Sequence, residues 1–226
     1  MADVEYRQAR TVATRTRLMR AMERLCAQHG VENVTVRAVV EAAGQKNESA
    51  LQYHFKNREG LIHAIHKSRF VQTQEKRREL LTRCLAKNST PSVRELCKLM
   101  VDPTFQLCRT DAGYRQWIKA FGAINASVRH PMTEEEVIEE SNSILVITRH
   151  LREQLPQLDE SLFDDRYLTV VRFSGLSMSN HAKERNAFRG PASDFFISNL
   201  VDLLAGIFTA EVSSETRALV GKRKLK

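Results

Sequence analysis

From Leu18 to Phe208 the apolar residues recur at intervals of three and four, and no long stretch alternates apolar with polar residues as a half-buried strand does. That period admits helices and little else. Leu18, Met22 and Leu25, with Ala21 and Cys26, form one stripe that stops at Gly30. Thr35 then reads as the N-cap of a short helix through Ala43, Asn47 as the cap of a second, and Asn57 as the cap of a long third running to about Lys87. Pro91 suits an early helical position, and further helices are predicted near 92–101, 103–109, 111–129, 133–155, 162–186 and 191–212. Pro103, Pro131, Pro156 and Pro191 are placed at boundaries, where helices tolerate them. The expected fold is all-α: an N-terminal three-helix helix-turn-helix head over residues 1–57, a larger helical body over 58–212, and a basic tail over 213–226.

An apolar content of 42% supports a packed core, and a net charge of +8 with a sequence pI of about 9.5 favours an anionic partner. The charge is uneven. Arg7, Arg10, Arg15, Arg17, Arg20 and Arg24 crowd the first segment, opposed only by Asp3, Glu5 and Glu23. The first residues carry no apolar core of a secretory signal, and no run approaches the roughly 18 uninterrupted apolar residues of a membrane span. Cys26, Cys84, Cys97 and Cys108 are scattered without a CxxC pair, which reads as reduced structural thiols. A cytoplasmic protein with no membrane partner is expected.

The stretch TVRAVVEAAGQKNESALQYHFKNREGL, Thr35 to Leu61, has the outline of a helix-turn-helix: a short helix, a turn at glycine and a second short helix. Val36, Val39 and Val40 can bury one side of the first helix against the Leu18–Leu25 stripe, while Leu51 and Phe55 hold the second. Gln52 could then pair with adenine in a major groove, and Lys46 could reach guanine or phosphate. Tyr53, His54, Lys56 and Arg58 are placed to grip phosphates. The candidate DNA-binding set is Thr35, Arg37, Lys46, Asn47, Ser49, Gln52, Tyr53, His54, Lys56 and Arg58.

These residues resemble the TetR family of bacterial transcriptional regulators. Members commonly show AG, then a short helix ending in a LYYHF-like string, then K-S-K-E-x-L. Here Leu51, Tyr53, His54 and Phe55 match the aromatic string, and Arg58, Glu59 and Leu61 match the lead-in to the fourth helix. Gln52 replaces the first aromatic, and the interval from Gly44 to Phe55 is one residue longer than usual. The resemblance covers about residues 12–62. It implies a repressor that binds a palindromic double-stranded DNA operator as a homodimer, needs no cofactor and is not an enzyme. It also implies a body that takes a small hydrophobic effector, and a dimer bundle of the last two long helices, about 162–186 and 191–212. The candidate pocket residues are Phe70, Met100, Phe105, Trp117, Phe121 and Ile147, with Arg115 or His150 for an anionic head group. For the dimer interface they are Tyr167, Val171, Phe195, Phe196, Leu200, Leu204 and Phe208; the apolar surface of the final helix is wider than one neighbour needs.

Other constellations carry less. His63 and His66 are three apart but have no third ligand at useful spacing. The run TEEEVIEE at 133–140 follows the preference of acidic residues for a helix N-terminus. No nucleophile elbow or Gly-rich phosphate loop occurs, and GKRKLK at the end reads as a solvated, frayed tail. Two other classes stay open: a helical small-molecule-binding protein or enzyme with an apolar pocket, and an effector-free DNA-binding architectural protein.

Overall fold

The computed structural model describes residues 2–127 and 142–223. Among them are ten α-helices and one turn of 3-10 helix. The head comprises α1 (Ala2–His29), the 3-10 turn (Val31–Asn33), α2 (Val36–Ala42) and α3 (Ser49–Phe55). α4 (Arg58–Lys87) comes next, then α5 (Val93–Thr110), α6 (Ala112–Ser127), α7 (Ser143–Gln154), α8 (Glu160–His181), α9 (Gly190–Thr209) and α10 (Ser214–Arg223). The all-α class expected from periodicity is the fold observed. The acidic run at 133–140 and Pro131 lie outside the described residues.

Local chemistry explains most boundaries. Thr35 Oγ1 accepts from the Ala38 amide at 3.2 Å and Asn57 Oδ1 from the Gly60 amide at 2.8 Å, so both predicted caps are present. Ser92 and Glu95 cap α5 reciprocally, and Asp159 Oδ1 accepts from the Leu162 amide at the start of α8. Asn47 does not cap α3, which starts two residues later; its Oδ1 accepts instead from the Ser49 hydroxyl. Residues 214–223, expected to lie in a basic tail, form the helix α10.

Two apolar clusters form. The head cluster joins Leu18, Met22 and Cys26 of α1 to Val39 and Val40 of α2, Leu51 and Phe55 of α3, and Leu61 and Ile65 of α4. The body cluster runs through α5 to α9 and is centred on residues such as Leu96, Phe105, Ile147, Phe163, Leu204 and Phe208. α4, at about 1.5 Å per residue roughly 45 Å long, is unbroken and serves both clusters. Burial raises the thiol pKa of Cys26 to about 11 and of Cys97 to about 12, so these are inert packing groups.

Pro103 departs from expectation. It does not separate two helices but sits buried inside the continuous α5. A proline there removes the amide that would bond the carbonyl four residues earlier, that of Leu99. The gap is filled from α4: buried Arg77 donates Nε to Leu99 O at 3.3 Å, Nη2 to Met100 O at 3.4 Å and Nη1 to Gln74 Oε1 at 2.8 Å. Gln74 Nε2 in turn donates to Asn142 Oδ1 at 2.7 Å, and the Ser143 hydroxyl donates to Gln74 Oε1 at 2.8 Å. One polar chain thus fixes α4, α5 and α7 together.

Arg77→Met is expected to destabilise the fold by about 1–3 kcal/mol, since it orphans buried acceptors. The same change should be milder in a Pro103→Ala background, where an amide again serves Leu99. Urea unfolding of the two single variants and the double variant checks this, and additive effects would refute the repair.

Candidate nucleic-acid interface

The turn between α2 and α3 is built by glycine. Gly44 has φ +67°, a left-handed conformation that a side chain resists, and the amides of Gly44 and Gln45 return to the carbonyls of Glu41 and Val40, both at 2.9 Å. This closes α2 and redirects the chain. Residues 45–48 then form the turn, so the longer interval before Phe55 falls there and α3 itself spans seven residues.

α3 has two faces. Leu51 and Phe55 are buried in the head cluster, one turn apart. Opposite them Ser49, Gln52 and Tyr53, spaced i, i+3, i+4, are all exposed, Tyr53 to 80%. Lys46 and Asn47 of the turn, Lys56 at the end of α3, and Thr35 and Arg37 at the start of α2 are exposed or half-buried as well. A short helix clamped on one side and polar on the other can enter a groove without disturbing its own core.

Two residues differ from expectation. Arg58 faces inward: its Nε donates to Val34 O at 3.1 Å and its Nη2 to Val31 O, tying the 3-10 turn to α4. Its guanidinium is therefore a brace of the head and not a phosphate grip. His54 is half-buried, and burial together with neighbouring Arg15 lowers its pKa below the ordinary histidine value. It is neutral at pH 7 and can offer a phosphate an N–H but no charge. Arg15 was not among the candidates, yet its Nη1 donates to the His54 carbonyl at 3.0 Å and its guanidinium lies 4.4 Å from the centre of the Phe55 ring. The arginine density of α1 was the available signal.

The six candidate pocket residues do not gather at one place. Met100, Phe105 and Ile147 are buried in the body cluster, while Phe121 belongs to the head cluster. Trp117 packs against both and donates Nε1 to His66 Nδ1 at 3.3 Å; Phe70 is half-buried on α4. Arg115 donates to the Cys108 carbonyl at 2.6 Å and His150 pairs with Glu153. A groove of about 490 Å³ opens instead between α1 and the start of α6, lined by Arg20, Arg24, Asp111 and Gln116 among others.

The candidate dimer residues divide too. Leu200, Leu204 and Phe208 turn into the body core, and Phe196 stacks on His181 with ring centres 3.9 Å apart. Tyr167 and Val171 are half-buried. Phe195 is exposed to 70%, and Leu203 of α9 with Phe173 and Leu176 of α8 are exposed as well. Leu176 carried no expectation, because an apolar stripe gives no sign of which of its sides meets the protein's own core. By length and composition α9 could cross a membrane, with mean hydropathy 1.3 and 28% of its window buried. Yet its Asp202 and Asp194 pair with Arg94 and Arg109 of α5.

The clamped α3, its glycine turn and the supporting α1 define a helix-turn-helix DNA-binding head on a helical body. Residues 18–65 match the family of bacterial regulatory proteins described as the tetR family, which supports a DNA-binding transcriptional regulator of that type. No curated protein matches the chain.

Arg58→Ala is expected to lower the melting temperature by about 2–4 °C, for the loss of roughly 1 kcal/mol. Gln52→Ala should leave it unchanged. Differential scanning calorimetry of both variants distinguishes the brace from the exposed face.

Proposed function

We propose that this regulator is a repressor that binds a palindromic operator as a homodimer and is released by a small hydrophobic effector. The observation that carries the DNA part is the exposed polar stripe Ser49, Gln52 and Tyr53 on a helix whose other face is locked by Leu51 and Phe55. Gln52 reads a base edge, adenine by its paired donor and acceptor. Tyr53, His54, Lys46 and Lys56 position the head on phosphates. A gel shift against the DNA upstream of its own coding sequence tests the reading. Affinity should fall steeply with salt, because phosphate contacts release counterions. Salt-insensitive binding, or none, would overturn it.

The dimer reading rests on the exposed apolar residues Phe173, Leu176, Phe195 and Leu203 of the adjacent α8 and α9. Large apolar side chains grouped on two neighbouring helices are costly to leave in water and suit a self-complementary two-fold bundle. The two heads would then face half-sites about one helical turn, roughly 34–36 Å, apart or a multiple of it. Phe195→Asp with Leu203→Asp should yield a folded monomer by sedimentation and lose operator binding. A dimer that survives both changes would move the interface elsewhere.

The effector reading rests on Trp117 and His66, which stand where α6 meets α4 below the head. An effector that binds the non-operator shape better moves the equilibrium toward release, and operator DNA must weaken effector binding by the same factor. Trp117, the single tryptophan, should change fluorescence on effector binding. Trp117→Phe should blunt release while sparing operator affinity; normal release would place the effector away from it. The cytoplasm, where the DNA is, is the proposed compartment.

A further inference from the structure

α1 is 28 residues long, yet the matched family segment begins only at Leu18. The helix before that point is not needed for the core: between Tyr6 and Arg17 no described side chain is buried. That stretch contains Arg7, Arg10, Arg15 and Arg17 and no acidic residue.

Its direction is fixed by two contacts. Glu23 on α1 is joined to Arg69 of α4 at 2.7 Å, on the side where the head meets the body. Two turns earlier Arg15 is bonded to the His54 carbonyl at the end of α3. Moving along α1 from Glu23 to Arg15 therefore runs from the body to the DNA-reading helix. The same axis continued to Tyr6 carries the helix roughly 13 Å further, at 1.5 Å per residue. Along this projection Arg7, Arg10, Thr14 and Arg17 recur at i, i+3, i+7 and i+10, one stripe of a helix. Arg17 donates to the Thr14 hydroxyl at 3.3 Å within the stripe. The exposed apolar residues Tyr6 and Val12 lie on different sides, so the arm lacks the apolar face with which a helix enters a membrane surface.

We propose that the part of α1 before Leu18 is a second DNA-contact element, an arginine arm in which Arg7, Arg10 and Arg17 grip backbone phosphates beyond the reach of the helix-turn-helix. The inference rests on the DNA-binding reading and extends it to a segment outside the matched family region. The arm extends past the contact of α1 with α3, its charge from Tyr6 to Arg17 is of one sign, and a phosphate backbone is the anion that such a spaced row of guanidinium groups fits. Phosphate contacts carry no base information, so the arm adds affinity and not sequence preference.

The test uses the full-length protein and a duplex that the wild type selects from a random-sequence pool. Binding constants are measured over a range of salt for the wild type, for Arg7→Gln, Arg10→Gln, Arg17→Gln combined, and for the matching Lys triple. The Gln triple should lower the slope of log affinity against log salt by about 0.9 for each phosphate no longer neutralised. One phosphate per protomer of a dimer gives a change of about 2, or roughly 60-fold weaker binding at 0.1 M salt by the same relation. The ratio of selected to scrambled duplex affinity should stay the same, the melting temperature should not move, and the Lys triple should restore the slope. A Gln triple with the wild-type slope, or a Lys triple that fails to restore it, overturns the arm while leaving the helix-turn-helix reading standing. A wild type that shows no salt dependence overturns both.

Discussion

One guanidinium decides how the head sits on the body. Arg69, in α4, donates Nε and Nη2 to the two carboxylate oxygens of Glu23 on α1 at 2.7 and 2.8 Å, and Nη1 to Asp111 between α5 and α6 at 2.8 Å. The other Asp111 oxygen caps α6 through the amides of Gly113 and Tyr114 at 2.7 and 3.2 Å. Four segments are thereby fixed by one side chain. Its partners outweigh the effect of burial and hold Arg69 above its ordinary pKa, while the same pairing and the cap amides hold Asp111 below the usual carboxylate value. Glu23 is 1% exposed and Arg69 7%, so desolvation offsets much of the attraction. Removing Arg69 is another matter, since a buried carboxylate left alone costs about 3–5 kcal/mol. The triad therefore contributes less to net stability than to choosing one geometry. Gly113 is part of that choice: a Cβ there would lie 2.7 Å from Arg69 Nη2.

The triad has a mechanical consequence. α6 contributes Phe121 to the head cluster and Trp117 to both clusters, so the head is not suspended on a free linker. The groove that opens beside the triad borders α1 and the start of α6. A change of body shape that shifts α6 along α4 must either break the Arg69–Asp111 pair or drag Arg69 and, through its bidentate pair with Glu23, α1 with it. Packed interfaces of this kind have discrete arrangements and not a continuum, which is what a switch requires.

The sequence revealed the head far better than the body. Caps at Thr35 and Asn57, the glycine turn and the clamping pair Leu51 and Phe55 are local chemistry, readable within a few residues, and they lie where expected. The inward turn of Arg58 was not legible because its partners, Val34 and Val31, are backbone carbonyls 24 and 27 residues away, which no residue type announces. Pro103 failed for the same kind of reason. Proline breaks a helix unless something else serves the orphaned carbonyl, and here that donor is Arg77 on a different helix. The candidate pocket and dimer residues stood out for being apolar at helical spacing, a property shared by every core residue of α5 to α9. Spacing tells how many faces a helix buries, but the tertiary arrangement tells which face meets what.

The same logic qualifies the net charge of +8. Arginine count alone would spread a DNA-attracting field over the whole molecule. In the fold Arg58, Arg69 and Arg77 are spent inside, and Arg94, Arg109 and Arg152 are paired with Asp202, Asp194 and Asp164. Neutralised or internal charges add little to an external potential. Exposed cations such as Arg78, Lys98, Lys119 and Arg189 belong to the body, and those of α1, the α2–α3 turn and the end of α3 belong to the head that carries Gln52 and Tyr53. A positive field at the head orients the approach before any base is read, because electrostatic steering acts over about 10 Å at 0.1 M salt and base contacts act only at hydrogen-bond range. The interior arginines Arg58, Arg69 and Arg77 brace the head and the body from within, and the outer arginines of α1 stay available for a partner.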